Sequence, residues 1–228
     1  MSVYTAPVRR GSAYWVRFDG DVGSEQHGIR PALVIQNDKG NRYSPTTIVV
    51  PLTTQKKSAQ PTHHEFVHVE KGPQTACAEQ VRTIDKSRIV KYAFDVSEDD
   101  MRRIDRCVNV AVSRLETERT PRIRRGDVYR CDLSGSTGSE EFGECLAVVV
   151  QNDRGNYFSS TTIVLPLLRP RGRGLPMHVS VELGGRRYEV AAEQIRTVAK
   201  ARLRRYVSQM PENVMAEIEK ALNVAVTA

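Results

Sequence analysis

The spacing of apolar and polar positions changes several times along this chain, and the whole series of changes is made twice. Ala13–Phe18 is a short, mostly apolar run, followed by a loop rich in Gly, Ser and Glu. Ala32–Gln36 is nearly all apolar, as expected of a strand covered on both faces. The string NDKGN that follows has turn chemistry, since Asn, Asp and Gly accept turn backbone angles easily. Thr46–Leu52 is dense in β-branched residues and predicts another strand. Shorter strands are expected at His63–Val69 and Glu79–Ile84. The period then switches: Met101, Ile104, Val108, Ala111 and Leu115 recur at alternating spacings of three and four, which predicts one helix. Ser97 stands where its N-cap would be, with Glu98, Asp99 and Asp100 at the positive end of the helix dipole. Val128–Leu133, Ala147–Gln151, NDRGN, Thr161–Leu167 and a helix through Met215, Ile218, Leu222 and Ala225 repeat the series. The pattern predicts a mainly β fold with terminal helices (α+β): a small curved or closed β-barrel with one packed helix, made twice.

The repetition is close at the level of residues. Arg10–Leu52 aligns with Arg125–Leu167 at an offset of 115 without a gap, and 22 of the 43 positions are identical. The offset falls to 114 by Glu79-Gln80, which matches Glu193-Gln194, and stays there to the end. A period this long marks a duplicated domain and not a solenoid repeat. The expected division is a first domain at 1–115, a charged linker at 116–123 containing Pro121, and a second domain at 124–228.

Composition narrows the class. An apolar fraction of 39% with 27% charged residues supports a packed core. No apolar run approaches a membrane span, and the first residues lack a secretory apolar segment, so a cytoplasmic protein with no membrane partner is expected. The cysteines (Cys77, Cys107, Cys131, Cys145) form no CxxC pair and have no His at zinc spacing, which argues against a metal. The net charge of +7 and pI of about 9.4 lean toward a polyanionic partner.

The strings GSEQHGIRPALVIQNDKGNRYSPTTIVVPLT, EQVRTIDKSR and RRGSAYWV closely resemble the MazF/PemK family of bacterial toxins. RRGDVY, QNDRGNYFSSTTIVLPL and EQIRTV carry the same resemblance in the second copy. The resemblance implies SH3-like barrels of the MazF/PemK/CcdB kind. It implies a metal-independent endoribonuclease that cuts single-stranded RNA or mRNA at short motifs, needs no cofactor, and is held in check by a cognate antitoxin. The family's active unit is usually a homodimer. Carried over to this chain, the resemblance makes Arg30 and Thr53 the catalytic pair and Gln80 an RNA contact, with Gln194 its counterpart.

The chemistry agrees with those residue types. Attack of a 2′-hydroxyl on phosphorus needs a proton removed, charge on the phosphoryl oxygens stabilised, and the departing 5′-oxygen protonated. Arg30 stays charged and can hold two phosphate oxygens, and Thr53 can donate a hydrogen bond to a third. Glu25, in the loop before Arg30, is ranked first as base, ahead of His63 and His64. Arg82, Lys56 and Lys57, and in the second copy the stretch Arg169–Gly174, are candidate RNA contacts. Tyr14, Tyr43 and Phe158 are the aromatic candidates for stacking on bases. At offset 115, however, Arg30 becomes Cys145 and Thr53 becomes Leu168, while Glu140 and Gln194 persist. A Cys145 nucleophile lacks a matching base. The expectation is an intramolecular pseudo-dimer with one competent site, the second half standing in for a partner subunit, and a monomeric chain. A catalytically weak RNA-binding or regulatory pseudo-toxin and a DNA gyrase poison are the alternatives.

Overall fold

The computed structural model describes residues 6–19, 22–55, 59–68, 70–113, 122–141, 143–170 and 175–226. Lys56, Lys57, Val69, Leu115, Arg171 and Arg173 lie outside the described residues, as does most of the expected linker.

The first half runs β1 (Ser12–Phe18), β2 (Gly28–Val34), α1 (Asp38–Tyr43), β3 (Thr46–Thr53), β4 (His63–His68), β5 (Gly72–Cys77), β6 (Arg82–Asp85), β7 (Ile89–Asp95) and α2 (Glu98–Val112). The second half repeats it as β8 (Asp127–Asp132), β9 (Glu144–Val149), α3 (Asp153–Phe158), β10 (Thr161–Leu168), β11 (His178–Leu183), β12 (Arg186–Ala191), β13 (Arg196–Ala199), β14 (Leu203–Gln209) and α4 (Glu212–Val226).

Two predicted details change. NDKGN and NDRGN are not turns but short helices, α1 and α3, because Asn37 and Asn152 each cap one by accepting the N–H of Gly40 or Gly155 at 2.7 Å. The strand expected across Glu79–Ile84 begins only at Arg82, since Ala78–Gln80 is a 3-10 turn.

The sheet is curved but not closed. Its order is β14-β8-β9-β10-β13-β6-β3-β2-β1-β7, with the hairpins β4–β5 and β11–β12 branching off β3 and β10. β3 pairs with β2 through Val49, Val50 and Pro51, and then turns to β5 through Leu52 and Thr53. β10 does the same between β9 and β12. Each half therefore contains a fork where its longest strand leaves one neighbour for another.

The halves join across a pseudo-two-fold axis as an intramolecular pseudo-dimer. β6 meets β13 at Arg82 and Arg196, flanked by Thr83 N–H donating to Ile195 O (2.7 Å) and Thr197 N–H donating to Val81 O (3.1 Å). One hydrophobic core continues through both halves, from Leu33, Ile48 and Ile104 to Val148, Ile163 and Ile218. Each half also has a smaller hydrophobic cluster of its own. The helix ends are also satisfied across the axis. Asn37 Nδ2 donates to Val224 O (2.8 Å) near the C-terminus of α4, and Asn152 Nδ2 donates to Val110 O (2.7 Å) near the C-terminus of α2. These are carbonyls that a helix cannot bond internally. The same asparagine thus starts one helix and finishes another in the opposite half, which is why the motif is kept in both copies.

Candidate active site and its degenerate counterpart

Arg30 lies in β2 opposite Val16 of β1, half-buried beside exposed Gly28 and Ile29. The β2–β3 register pairs Ala32 with Pro51 and Leu33 with Val50. The pairing ends there, and two residues further along each strand Arg30 and Thr53 stand on the two arms of the fork, Thr53 paired with Thr75 of β5. Arg30 Nε donates to His27 O at 2.8 Å, which tethers the guanidinium, and its two terminal nitrogens have no partner among the described residues. Thr53 Oγ1 accepts the Gln55 N–H at 3.1 Å, so its own O–H can be donated elsewhere. Each group is a hydrogen-bond donor suited to a phosphate oxygen.

The other sequence candidates are placed differently. Glu25 is a buried structural carboxylate. Its Oε1 accepts from Arg202 Nε at 2.7 Å and from the Ala199 N–H at 2.6 Å, both from the second half. Glu140 repeats this with Arg88 (2.5 Å) and the Asp85 N–H (2.7 Å). The proton-accepting oxygens of Glu25 are engaged in joining the halves, which explains why Glu140 survives in a copy without Arg30. Arg82 is not a surface RNA contact. It is 2% exposed at the pseudo-two-fold axis, over the Phe18 ring at 5.3 Å, because β6 is the strand through which the halves pair. Its counterpart Arg196 has its pKa lowered to about 10, first by burial and then by the Arg82 charge.

His63 and His64 contact Glu79 (2.9 Å) and Asp100 (2.8 Å), and His178 sits between Glu193 (2.8 Å) and Glu189 (3.0 Å), whose contacts raise its pKa. His63, Cys77 and Glu79 bring their ligand atoms within 4.8 Å of one another. The second half keeps the His–Glu contact with Ala191 in place of Cys77, so that contact forms without the cysteine. Gln80 is half-buried and lines a cavity of about 740 Å³ between the halves, with His63 and Glu79 on one side and Asn152, Gly155 and Phe158 on the other. Gln194 instead accepts the Glu141 N–H at 3.2 Å, holding the loop before β9. Tyr43 and Phe158 are 74% and 68% exposed, whereas Tyr14 is buried against Tyr92.

In the second half the equivalent fork is open and differently furnished. A cavity of about 740 Å³ is lined by Cys145, Leu146, Leu167 and Leu168, with arginines around its rim. Sequence reasoning found the loss of Arg30 and Thr53 and named Arg169, but missed Arg130, Arg186 and Arg187, since these come from β8 and β12. Burial, with Glu141 adding to it, pushes the Cys145 thiol up to about 12. Cys131, its partner across the β8–β9 ladder, is also pushed up to about 12 by burial. Native protein at pH 8 is therefore expected to alkylate at Cys145 about 10³-fold more slowly than a free cysteine, because only the thiolate reacts. Mass spectrometry of iodoacetamide-treated native and unfolded samples checks this; rapid native labelling would contradict it.

No helix among the described residues is long and apolar enough to cross a membrane. The sequence model of one protein family, described as PemK-like, MazF-like toxin of type II toxin–antitoxin system, matches the chain twice, over residues 9–112 and 124–226. A curated relative, Endoribonuclease EndoA of Bacillus subtilis (strain 168), is 39% identical over 113 residues, 48% of this chain and 97% of the relative. Among solved structures, an endoribonuclease in complex with its cognate antitoxin from a mycobacterial species is 28% identical. It covers 45% of this chain and 92% of its own, with a TM-score of 0.39. MazF (Form-I) from Deinococcus radiodurans is 21% identical over 46% of this chain and 96% of its own, with a TM-score of 0.43.

Proposed function

The chain belongs to the PemK-like, MazF-like toxins of type II toxin–antitoxin systems, carried as two copies in one polypeptide, and we propose that it is an endoribonuclease with a single cutting site in its first half. One contrast supports the reading: the arms of the first fork carry Arg30 and Thr53, both able to donate to a phosphate, whereas the second fork offers Cys145 and Leu168.

The substrate is single-stranded RNA, cut without a metal. The 2′-hydroxyl oxygen forms a bond to phosphorus as the bond to the 5′-oxygen breaks. One product ends in a 2′,3′-cyclic phosphate and the other begins with a 5′-hydroxyl. Negative charge grows on the non-bridging oxygens, and Arg30 stabilises it with paired charged hydrogen bonds. Thr53 donates to the same phosphate and fixes its angle to the attacking oxygen. Selectivity for a short motif would come from the loops around this fork. Residues 1–115 form the competent domain and 124–228 its supporting partner. Covalent linkage makes their pairing independent of protein concentration, so the chain acts as a monomer that supplies both halves itself. The partner that restrains it is a cognate antitoxin, as the family description implies.

The test is incubation of a long mixed-sequence RNA with the purified chain in EDTA. Cleavage at a recurrent short motif, leaving 5′-hydroxyl ends that a polynucleotide kinase labels directly, is expected. RNA that is bound but intact would replace this reading with that of a binder. Trapped cleaved DNA with a gyrase, and intact RNA, would replace it with that of a gyrase poison.

A further inference from the structure

The cavity in the second half has lost the means to cut and gained the means to hold. Four arginines line it, and none has a counterpart cation in the first half. Arg130 replaces Trp15 and Arg169 replaces Thr54 at offset 115, and Arg186 and Arg187 replace Gly72 and Pro73 at offset 114. The strand registers make these true equivalents: Leu168 pairs with Glu189 as Thr53 pairs with Thr75. Tyr188, half-buried, stands in the place of Gln74.

Two carboxylates share the lining. Glu144 is paired with Arg130 at 3.1 Å, and Glu141 remains on the rim. Arg169, Arg186 and Arg187 are exposed and have no protein partner among the described residues. The floor is apolar, made by Leu146, Leu167 and Leu168. An apolar floor with an aromatic edge and a cationic rim suits one base and its flanking phosphates, and about 740 Å³ is within the range of small-ligand sites.

We propose that this cavity is a non-cutting RNA subsite: it takes one unpaired nucleotide of the strand being cut, its base against Leu168 and Tyr188 and its phosphates against Arg169, Arg186 and Arg187. The proposal rests on the reading of the chain as an RNA-acting protein. The cation has moved from the centre of the fork, where Arg30 would meet the scissile phosphate, to the rim, where it attracts a phosphodiester without touching a reacting atom. The absence of a hydroxyl and a guanidinium at the floor then protects the held segment.

The probe is a short single-stranded RNA of mixed sequence, 2′-fluorinated throughout so that no attacking hydroxyl exists. Arg186→Ala/Arg187→Ala is expected to raise its Kd about tenfold and to reduce the slope of log K against log salt by about 1.4, the loss of two single-strand phosphate contacts. On natural RNA the same variant should raise KM with kcat kept. Arg186→Lys/Arg187→Lys should recover most of the affinity. Arg102→Ala/Arg103→Ala on α2, which removes equal charge elsewhere, should leave Kd within about twofold. If the wild type cuts RNA and the rim variant binds and cuts like it, the subsite is overturned and the ribonuclease reading stands. If the wild type binds the fluorinated RNA, the rim variant does not, and natural RNA stays whole, the subsite stands and the ribonuclease reading falls. No binding of RNA by the wild type overturns the subsite outright.

Discussion

Arg30→Ala is expected to lower kcat on single-stranded RNA by about 10²–10³-fold, the range found when one charge-stabilising donor is removed from a reaction centre. Thr53→Ala should cost roughly 10–100-fold, the loss of one hydrogen bond to a charged group. Arg30→Lys should fall between wild type and Arg30→Ala, because it keeps the charge and loses the planar fork that holds two oxygens. None of the three should move stability by more than about 0.5 kcal/mol, since both side chains are only partly buried. Single-turnover cleavage with a melting curve for each variant checks both halves of the expectation. An Arg30→Ala chain that still cuts at the wild-type rate would remove the first fork as the cutting site.

The strands, the terminal helices and the duplication were legible because they are written in local patterns that the chain repeats. The β-branched run of β3 and β10 can hardly be read otherwise, and seven of its eight positions are buried in each copy. The helix periods at Met101 and Met215 likewise marked faces that became core. What was not legible depends on partners far away in sequence. Nothing local to NDKGN says that Asn37 would find the end of α4, 187 residues on. Arg82 looked like a surface cation because its neighbours in sequence are mixed, but its strand lies on the axis between the halves. Glu25 looked like a base because it precedes Arg30 in a short loop, yet its partner Arg202 belongs to the other domain. The rim arginines were individually visible and collectively not. They gather only because β12 branches from β10 beside Leu168.

The buried pair at Glu25 gives the second large effect. Its side chain and that of Arg202 are 1% and 5% exposed, so neither can fall back on water if the other is neutralised. Glu25→Gln leaves a buried guanidinium without its counter-charge and is expected to cost about 3–5 kcal/mol. For a chain of this length that is a fall in Tm of roughly 6–20 °C. Glu140→Gln should do the same through Arg88, since its contacts are the mirror of these. Because a lone buried charge carries most of the penalty, Glu25→Gln/Arg202→Met should recover part of the loss that either change causes alone. The kinetic result separates the two roles that Glu25 could play. A carboxylate that holds the halves together lowers Tm and leaves kcat within a few-fold when assayed well below the melting temperature. A general base lowers kcat by about 10²–10⁴-fold and leaves Tm in place. The geometry favours the first outcome, because the oxygen nearest Arg202 already accepts two hydrogen bonds from the second half. In that outcome the loop leading into the strand that carries Arg30 is anchored to the second half, and the second domain then serves the proposed site by fixing where the first domain's arginine stands.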